Sequence, residues 1–568
     1  MSKKYLVVGG VAGGMSTAAR LRRLDPFAEI QVFEKGPHVS FSNCCLPFHL
    51  SGMIEPAENL ILMTPEILKK QYNLDVKVLH EVVSIDKENK TVEIKKVMSG
   101  EVYKESYDKL ILSPGANPVL PKSIKGIDSN HVFTVRNVVD IEKLKSYIDI
   151  NNIEDIAVIG GGFIGLEVME SLVEAGKNVT LVEGTDQILQ PLDYDMVQIL
   201  HKEIFDKGVN LLVNEVLSEI HEDYIVLNSG KKVNSKAVVM AIGVRPETSL
   251  AVQAGLKIGE TGGIEVNHHY QTSDPDIYAV GDAIEVTNFI TNKKTRLTLA
   301  GPAQRQARAA ADHIYGRTYR NTGVIGSSVV KVFDYNAAST GLTEKNCKEA
   351  GIDYQVSYII PKDKVGLMPD ASPIHFKLIF QYPTGQILGA QAVGKGEANR
   401  YIDIIATMIM NHGNVEDLKE LELCYSPHFS TAKDATNMAA LVGTNLLNGE
   451  YRQVRVSDVR DLYESGAFII DARERAEYEE GHIKSAINIP LSEFRERLDE
   501  IPKDRPVYIH CLSGQRSYYM VRELNLRGWD NVVNISGSFL GICMYEYFND
   551  VTLGREPIVT AYRFTLLG

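Results

Sequence analysis

"IEDIAVIGGGFIGLEVMESLVEAGKNVTLVEG", residues 153–184, decides the fold. An apolar, β-branched run breaks into glycines, a stretch of helix length follows, and a second apolar run stops at an acid. Gly160, Gly162 and Gly165 fit G-x-G-x-x-G at a strand-to-helix turn. The first glycine permits the tight turn, the second lets the backbone approach a pyrophosphate, and the third lets helix pack on strand. The phosphates then meet the free N–H groups and positive dipole end of the helix. Glu183 ends the next strand, where a carboxylate accepts hydrogen bonds from ribose hydroxyls and repels a 2′-phosphate, so NADH is favoured over NADPH.

The same pattern occupies residues 4–36, "KYLVVGGVAGGMSTAARLRRLDPFAEIQVFEKG". Gly9 and Gly14 hold the outer positions, Val11 stands at the middle one, and Glu34 ends the second strand. Three further apolar runs end in small-residue turns: "YDKLILSPGANP" (107–118), "KAVVMAIGVRPE" (236–247) and "TSDPDIYAVGDA" (272–283). The last places Asp282 at the C-terminal edge of a sheet, where open α/β folds bind ligands. Two nucleotide turns and three strand-end turns in this order predict an α/β protein with two Rossmann-like dinucleotide-binding domains.

The chain has 568 residues, too many for one core. It carries 60 basic and 73 acidic side chains, a net charge of -13, which argues against a general nucleic-acid or anionic-membrane partner. No apolar stretch reaches the roughly 18 residues of a membrane helix. Six scattered cysteines are too few for a disulfide scaffold and lack zinc-finger spacing, so no metal is expected. A cytoplasmic location follows, where conspicuous thiols tend to be reactive.

Two places hold such thiols. "SFSNCCLPFHLSG" (40–52) carries Cys44 beside Cys45. Five positions after each stand His49 and Leu50, so a C-x-x-x-x-C dithiol is absent. A Cys44–Cys45 disulfide would close a strained ring, and a metal site would need two further ligands. The remaining reading is one working thiol beside a bystander. After residue 454 the texture changes. "AFIIDARERAEYEEGHIKSAINIPLSEF" (467–494) precedes "PVYIHCLSGQRSYYMVRELNLRGWDNVVNISGS" (506–538). There a strand ends in Cys511, a polar turn follows, and a helix begins near Arg516. Backbone N–H groups and a guanidinium around a sulfur favour its anionic form.

Residues 1 to about 445 resemble the pyridine nucleotide-disulfide oxidoreductase family, and the C-terminal segment resembles a rhodanese domain, whose cysteine carries sulfur as a persulfide. The resemblance implies an FAD-binding domain (1–115 and 243–324), an NAD(H)-binding domain (116–242), an α+β dimerisation domain (325–445), a linker (446–456) and an α/β rhodanese domain (457–568). It implies FAD held by Gly9, Gly14, Glu34 and Asp282, and NADH held by Gly160, Gly162, Gly165 and Glu183. Cys511 and Arg516 keep the loop spacing of sulfur-carrying rhodaneses, and Asp471, Arg473 and His482 match the family's other signature.

"SFSNCCLP" is similar to the S-F-x-N-C-x-L-P of coenzyme A-disulfide reductases, which places the nucleophile at Cys44. The same resemblance implies coenzyme A contacts at Ser16, Arg20, Arg23, Ser40, Asn43 and Lys433, with Arg20 and Arg23 sharing a helix face. It also implies a homodimer in which Tyr425 of "CYSPHFSTAKD" (424–434) reaches the partner's site. Two departures matter. Ala12 stands where peroxidase and oxidase relatives have histidine, and "VGLMPDAS" (365–372) lacks a second tyrosine usual in the coenzyme A branch. The expected activity is NADH-dependent reduction of coenzyme A persulfide, polysulfide or coenzyme A disulfide through FAD and Cys44, with positive potential near the flavin depressing the thiol pKa. Rhodanese Cys511 handles sulfane sulfur. The alternatives are an NADH oxidase or peroxidase using a Cys44 sulfenic acid, and a sulfur-relay protein.

Overall fold

The computed structural model describes residues 3–319 and 321–565, which divide into two compact units. The first holds residues up to 186 together with 212–324; the second holds 187–211 together with 325 onward.

In the first unit, strand Lys4–Val8 lies in the middle of a parallel sheet. Glu29–Glu34 and Asp75–Val78 follow on one side, Lys109–Leu112 and Ile277–Ala279 on the other. Lys4 pairs with Glu29 and Val8 with Phe33. Side-chain alternation sends Tyr5 and Val7 to one face, against Met15, Ala18 and Leu21 of helix Ala12–Leu24. Leu6 and Val8 go to the other face, with Val92, Ile94 and Ile264. Burial on both faces explains why these strands read as unbroken apolar runs rather than alternating ones. The second glycine unit repeats the plan. Strand Asp155–Ile159 lies between parallel Asn178–Val182 and Ala237–Met240, and runs into helix Phe163–Glu174.

The second unit contains an antiparallel sheet in the order Ser328–Val332, Tyr335–Gly341, Ile387–Gly394, Ile374–Gln381, Tyr354–Ile359. It also contains a parallel sheet whose central strands are Val532–Ile535, Val507–His510 and Phe468–Asp471. Helix Tyr194–Asp206, within the span read from sequence as NAD(H)-binding, packs here against helix Ser538–Leu553. Tyr194 meets Tyr545, and His201 meets Phe548. Lys377, 1% exposed, is surrounded by Asp193, Asp195 and Glu344 at 3.1, 2.7 and 2.6 Å, and Arg455 at the head of the rhodanese segment pairs with Glu344. A buried ammonium needs such partners to offset lost hydration. The three carboxylates converge on that ammonium, which fills the centre a metal would need. Among the described residues no helix is long and apolar enough to cross a membrane.

Candidate functional site

Both glycine turns are built alike. Gly9 and Gly160 have φ of +99° and +109°, and a Cβ on them would stand 2.1 Å from Ser113 O and 2.4 Å from Ala241 O. A Cβ on Gly14 or Gly165 would come within 1.9 Å of the carbonyl oxygen of Gly9 or Gly160, so helix and turn touch only because these residues lack side chains. No protein atom lies within 4 Å of a Cβ built on Gly162, so this position opens outward. Val11 holds the corresponding place in the first turn with φ of −117°, an ordinary value for a β-branched residue. Neither following helix has a side-chain cap, which leaves first-turn N–H groups available to an anion. The residues present therefore fit two dinucleotides.

Glu34 and Glu183 do more than their sequence positions suggest. Glu34 accepts from Gly10 N at 2.9 Å and Gly36 N at 2.8 Å. Glu183 accepts from Gly161 N at 2.7 Å and Thr185 N at 2.9 Å. Each acid braces the glycine turn beside which a ribose would lie.

Cys44 sits on the short 3₁₀ helix Asn43–His49, and this segment is strapped to the first turn by Ser40 N donating to Gly10 O at 2.9 Å. Ser40 itself takes φ +49°. Asn43 and Cys44 are exposed, Cys45 is half-buried, and both thiols are free. Helix Phe163–Glu174 packs on the 43–49 segment and brings Glu167 into the field of Cys44. The depressed thiol pKa expected from sequence is not supplied by the protein's own groups. Cys44 is pushed up, first by burial of its thiol within an otherwise exposed residue, then by the electrostatic influence of Glu167, the neighbouring Cys45 and Asp282. Asp282 is raised by burial, and Glu167 is pushed up to about 7 by burial and by Glu170. Sequence reasoning missed Glu167. Its only signal was a carboxylate two residues after Gly165, on a helix that reads as a plain cofactor-turn helix.

The arginine face of helix Ala12–Leu24 divides. Arg20 Nε and Nη2 both reach Asp312 Oδ1, at 2.7 and 2.5 Å, so its charge is already paired. Arg22 donates to four backbone carbonyls, those of Asp25, Pro26, Tyr72 and Asn73. Arg23 is exposed and Ser16 half-buried. Thus the first unit brings together Gly9, Gly14, Glu34, Ser40, Cys44 and Asp282. Tyr425, 51% exposed, and exposed Lys433 lie in the second unit, on an irregular stretch before Asp434, which caps helix Ala435–Leu447.

The second thiol is enclosed. Cys511 is 1% exposed at the end of strand Val507–His510. Its Sγ accepts from Gly514 N at 3.2 Å and from the Ser517 hydroxyl at 3.6 Å. The loop is docked on a second helix start: Cys511 N donates to Ser538 Oγ, and Phe539 N donates to Cys511 O. Behind it Asp471 accepts from Arg473 Nε and Nη2, and His510 lies 3.7 Å from the same carboxylate. Burial opposes ionisation of Asp471, but His510 and Arg473 outweigh it and hold the carboxyl low. His482 stacks on Tyr478 and its Nδ1–H donates to Tyr478 O at 2.8 Å. Arg516 is gripped by Glu477. Ser517, Ser538 and Glu477 carried no signal that sequence alone could separate from ordinary polar residues.

Known proteins share this fold and order of domains. Residues 3–307 match the pyridine nucleotide-disulphide oxidoreductase model, 327–436 its dimerisation domain, and 455–544 the rhodanese-like domain. The coenzyme A disulfide reductase of Staphylococcus aureus is 34% identical over 436 residues, 77% of this chain and 98% of that protein. The crystal structure of reduced Bacillus anthracis CoADR-RHD superposes with a TM-score of 0.93 at 44% identity, covering 97% of this chain and 99% of that one. An NAD-dependent persulfide reductase from A. fulgidus gives 0.90 at 34% identity, with 95% and 99% covered.

Proposed function

The chain belongs to the pyridine nucleotide-disulphide oxidoreductase family and carries a rhodanese-like domain, and from this premise we propose that it is an NADH-dependent persulfide and disulfide reductase acting on coenzyme A persulfide, coenzyme A disulfide or polysulfide. The observation that carries the reading is the pairing, in one chain, of an exposed thiol beside a nucleotide turn with a second, enclosed cysteine in a rhodanese-like loop.

Gly9, Gly14, Glu34 and Asp282 would hold FAD, and Gly160, Gly162, Gly165 and Glu183 would hold NADH. When bound, these groups supply a hydride's two electrons to the sulfur chemistry. The Cys44 thiolate attacks the coenzyme A sulfur of the persulfide; its S–S bond breaks, hydrosulfide leaves, and a mixed disulfide forms. Two electrons and a proton then return Cys44 to thiolate and coenzyme A to thiol. With coenzyme A disulfide the leaving group is a second coenzyme A thiolate.

Ser16, Arg23, Ser40, Asn43 and Lys433 are the proposed coenzyme A contacts, while Arg20 keeps Asp312. The exposed stretch around Tyr425 and Phe429 is the proposed partner-facing surface of a homodimer, with Tyr425 completing the partner's site. Free thiols throughout suit a cytoplasmic protein. The rhodanese segment is fastened to helices beside the dimerisation sheet by Arg455–Glu344 and by Asn445–Tyr518. Such anchoring favours a mobile carrier, the pantetheine arm, over a swinging domain for moving sulfur from Cys511. Steady-state NADH turnover against coenzyme A persulfide, coenzyme A disulfide, polysulfide, oxygen and peroxide tests the proposal. Preference for oxygen or peroxide would establish the oxidase reading instead.

A further inference from the structure

The guanidinium in the Cys511 loop is not free. Arg516 Nη1 meets Glu477 Oε2 at 2.5 Å and Nη2 meets Oε1 at 2.8 Å, a two-point fork on one carboxylate. The two side chains are 30% and 24% exposed, so the pair lies at the open edge of a loop whose sulfur is enclosed. Glu474, one turn earlier on the same segment, adds a second negative charge to the field of Arg516. Around the sulfur itself the donors are neutral: Gly514 N–H and the Ser517 hydroxyl.

Sulfane-sulfur donors fall into two chemical classes. Oxyanion donors such as thiosulfate bring two negative charges and release sulfite. Persulfides of thiols bring at most one charge near the reacting sulfur and release a thiolate. An approaching dianion needs net positive charge at the loop, and here the only loop guanidinium is cancelled by Glu477 with Glu474 beside it.

We propose that Glu477 is a specificity-determining residue that turns the Cys511 loop away from oxyanion donors and toward persulfides of thiols. The proposal rests on the sulfur-carrying reading of the rhodanese domain given above. In the transfer, the Cys511 thiolate attacks the outer sulfur of the persulfide. The donor's S–S bond breaks with its electron pair leaving on the donor thiolate, and a new S–S bond forms at Cys511. The outer sulfur keeps its proton or releases it to water, and no external oxidant or reductant is needed.

The test uses the full-length holoenzyme with cyanide as acceptor, comparing kcat/KM for thiosulfate and for glutathione persulfide in wild type, Glu477→Gln, Glu477→Ala and Glu477→Asp. Glu477→Gln and Glu477→Ala are expected to raise the thiosulfate-to-persulfide ratio roughly tenfold, mostly through KM for thiosulfate, with the gain shrinking as salt rises. Glu477→Asp, which keeps the charge, should stay near wild type, and NADH-driven reduction at Cys44 reports that each variant is folded. An unchanged ratio in Glu477→Gln, or an equal fall with both donors, would overturn the proposal and leave Glu477 as a structural clamp on Arg516. If mass spectrometry finds no persulfide on wild-type Cys511 with either donor, the sulfur-carrying reading fails, and this proposal with it.

Discussion

Cys44 and Cys511 both stand where the chain turns from one element into another, yet their surroundings are opposite. Cys44 is exposed, and its electrostatic neighbours are two carboxylates and a second thiol, which together with burial push its pKa up. Cys511 is 1% exposed, and its sulfur receives a backbone N–H and a hydroxyl. The first site is open to a large substrate but does not, with its own groups, favour a thiolate. The second surrounds its sulfur with donors from the local chain, in a loop that leaves only 1% of Cys511 exposed. Access and activation of a thiol are therefore separate properties, and here they are assigned to different domains.

The comparison is broken most directly by exchanging the thiols one at a time. Cys44→Ser should lower NADH-driven sulfide release from coenzyme A persulfide by about a thousandfold or more, as loss of a nucleophile does. Cys511→Ser should leave that release intact when the persulfide is supplied free, and abolish sulfur loading on the rhodanese domain. Release assays and mass spectrometry of the loaded protein read the two outcomes. Equal loss in both variants would mean that the sites work as one.

Next in size is the second glycine turn. In Gly165→Ala the new Cβ would stand 1.9 Å from Gly160 O, so helix and turn must separate. Overpacking of this kind costs about 1–3 kcal/mol. NADH-driven turnover is expected to fall by roughly ten- to a hundredfold through KM for NADH, while thiol-donor loading of Cys511 stays at the wild-type rate. Gly162→Ala meets no protein atom within 4 Å, so any loss there reports the ligand rather than the fold. On the rhodanese side, Ser517→Ala removes the nearer of the two hydroxyls beside Cys511 Sγ. A hydrogen bond to a charged group is worth about 1.5–3 kcal/mol, and at 3.6 Å the low end applies, so sulfur loading should slow about tenfold, measured by rapid quench. Reduction at Cys44 should not change.

What could be read in the sequence was whatever is local. The two glycine turns, the apolar strands that feed them and the Cys511 loop each depend on residues within about thirty positions, and their spacing carries the geometry. The partners that set charge are distant. Arg20 meets Asp312 across 292 positions, and Arg516 meets Glu477 across 39. A shared helix face thus predicted a free arginine pair where one member is already neutralised. Lys377 and the carboxylates around it illustrate the same limit, since Asp195 meets Lys377 across 182 positions. Glu34 and Glu183 were legible as acids at strand ends, but their hydrogen bonds to Gly10 and Gly161 depend on backbone N–H directions that residue types do not encode.

The smallest expected effect bears on why Cys44 is held high. Glu167 raises the thiol pKa only while it is ionised, and it titrates at about 7. Below that value its carboxyl is neutral and adds nothing; above it the carboxylate opposes thiolate formation. Glu167→Gln removes this term at every pH. Cys44 alkylation, followed on the isolated peptide by mass spectrometry, should therefore match wild type at pH 6 and run faster in the variant at pH 8 to 9. The midpoint is expected to move down by a few tenths of a pH unit, the scale of one screened charge near a solvent-accessible thiol. The same substitution should also stabilise the protein more at pH 8 than at pH 5. A carboxyl raised by burial stays neutral in the folded protein while the unfolded chain ionises, so stability is lost as pH rises from the ordinary carboxyl range through about 7 and is constant above it. An alkylation midpoint that moves up, or a variant faster at pH 6 as well, would show that Glu167 acts on Cys44 through packing and not through its charge.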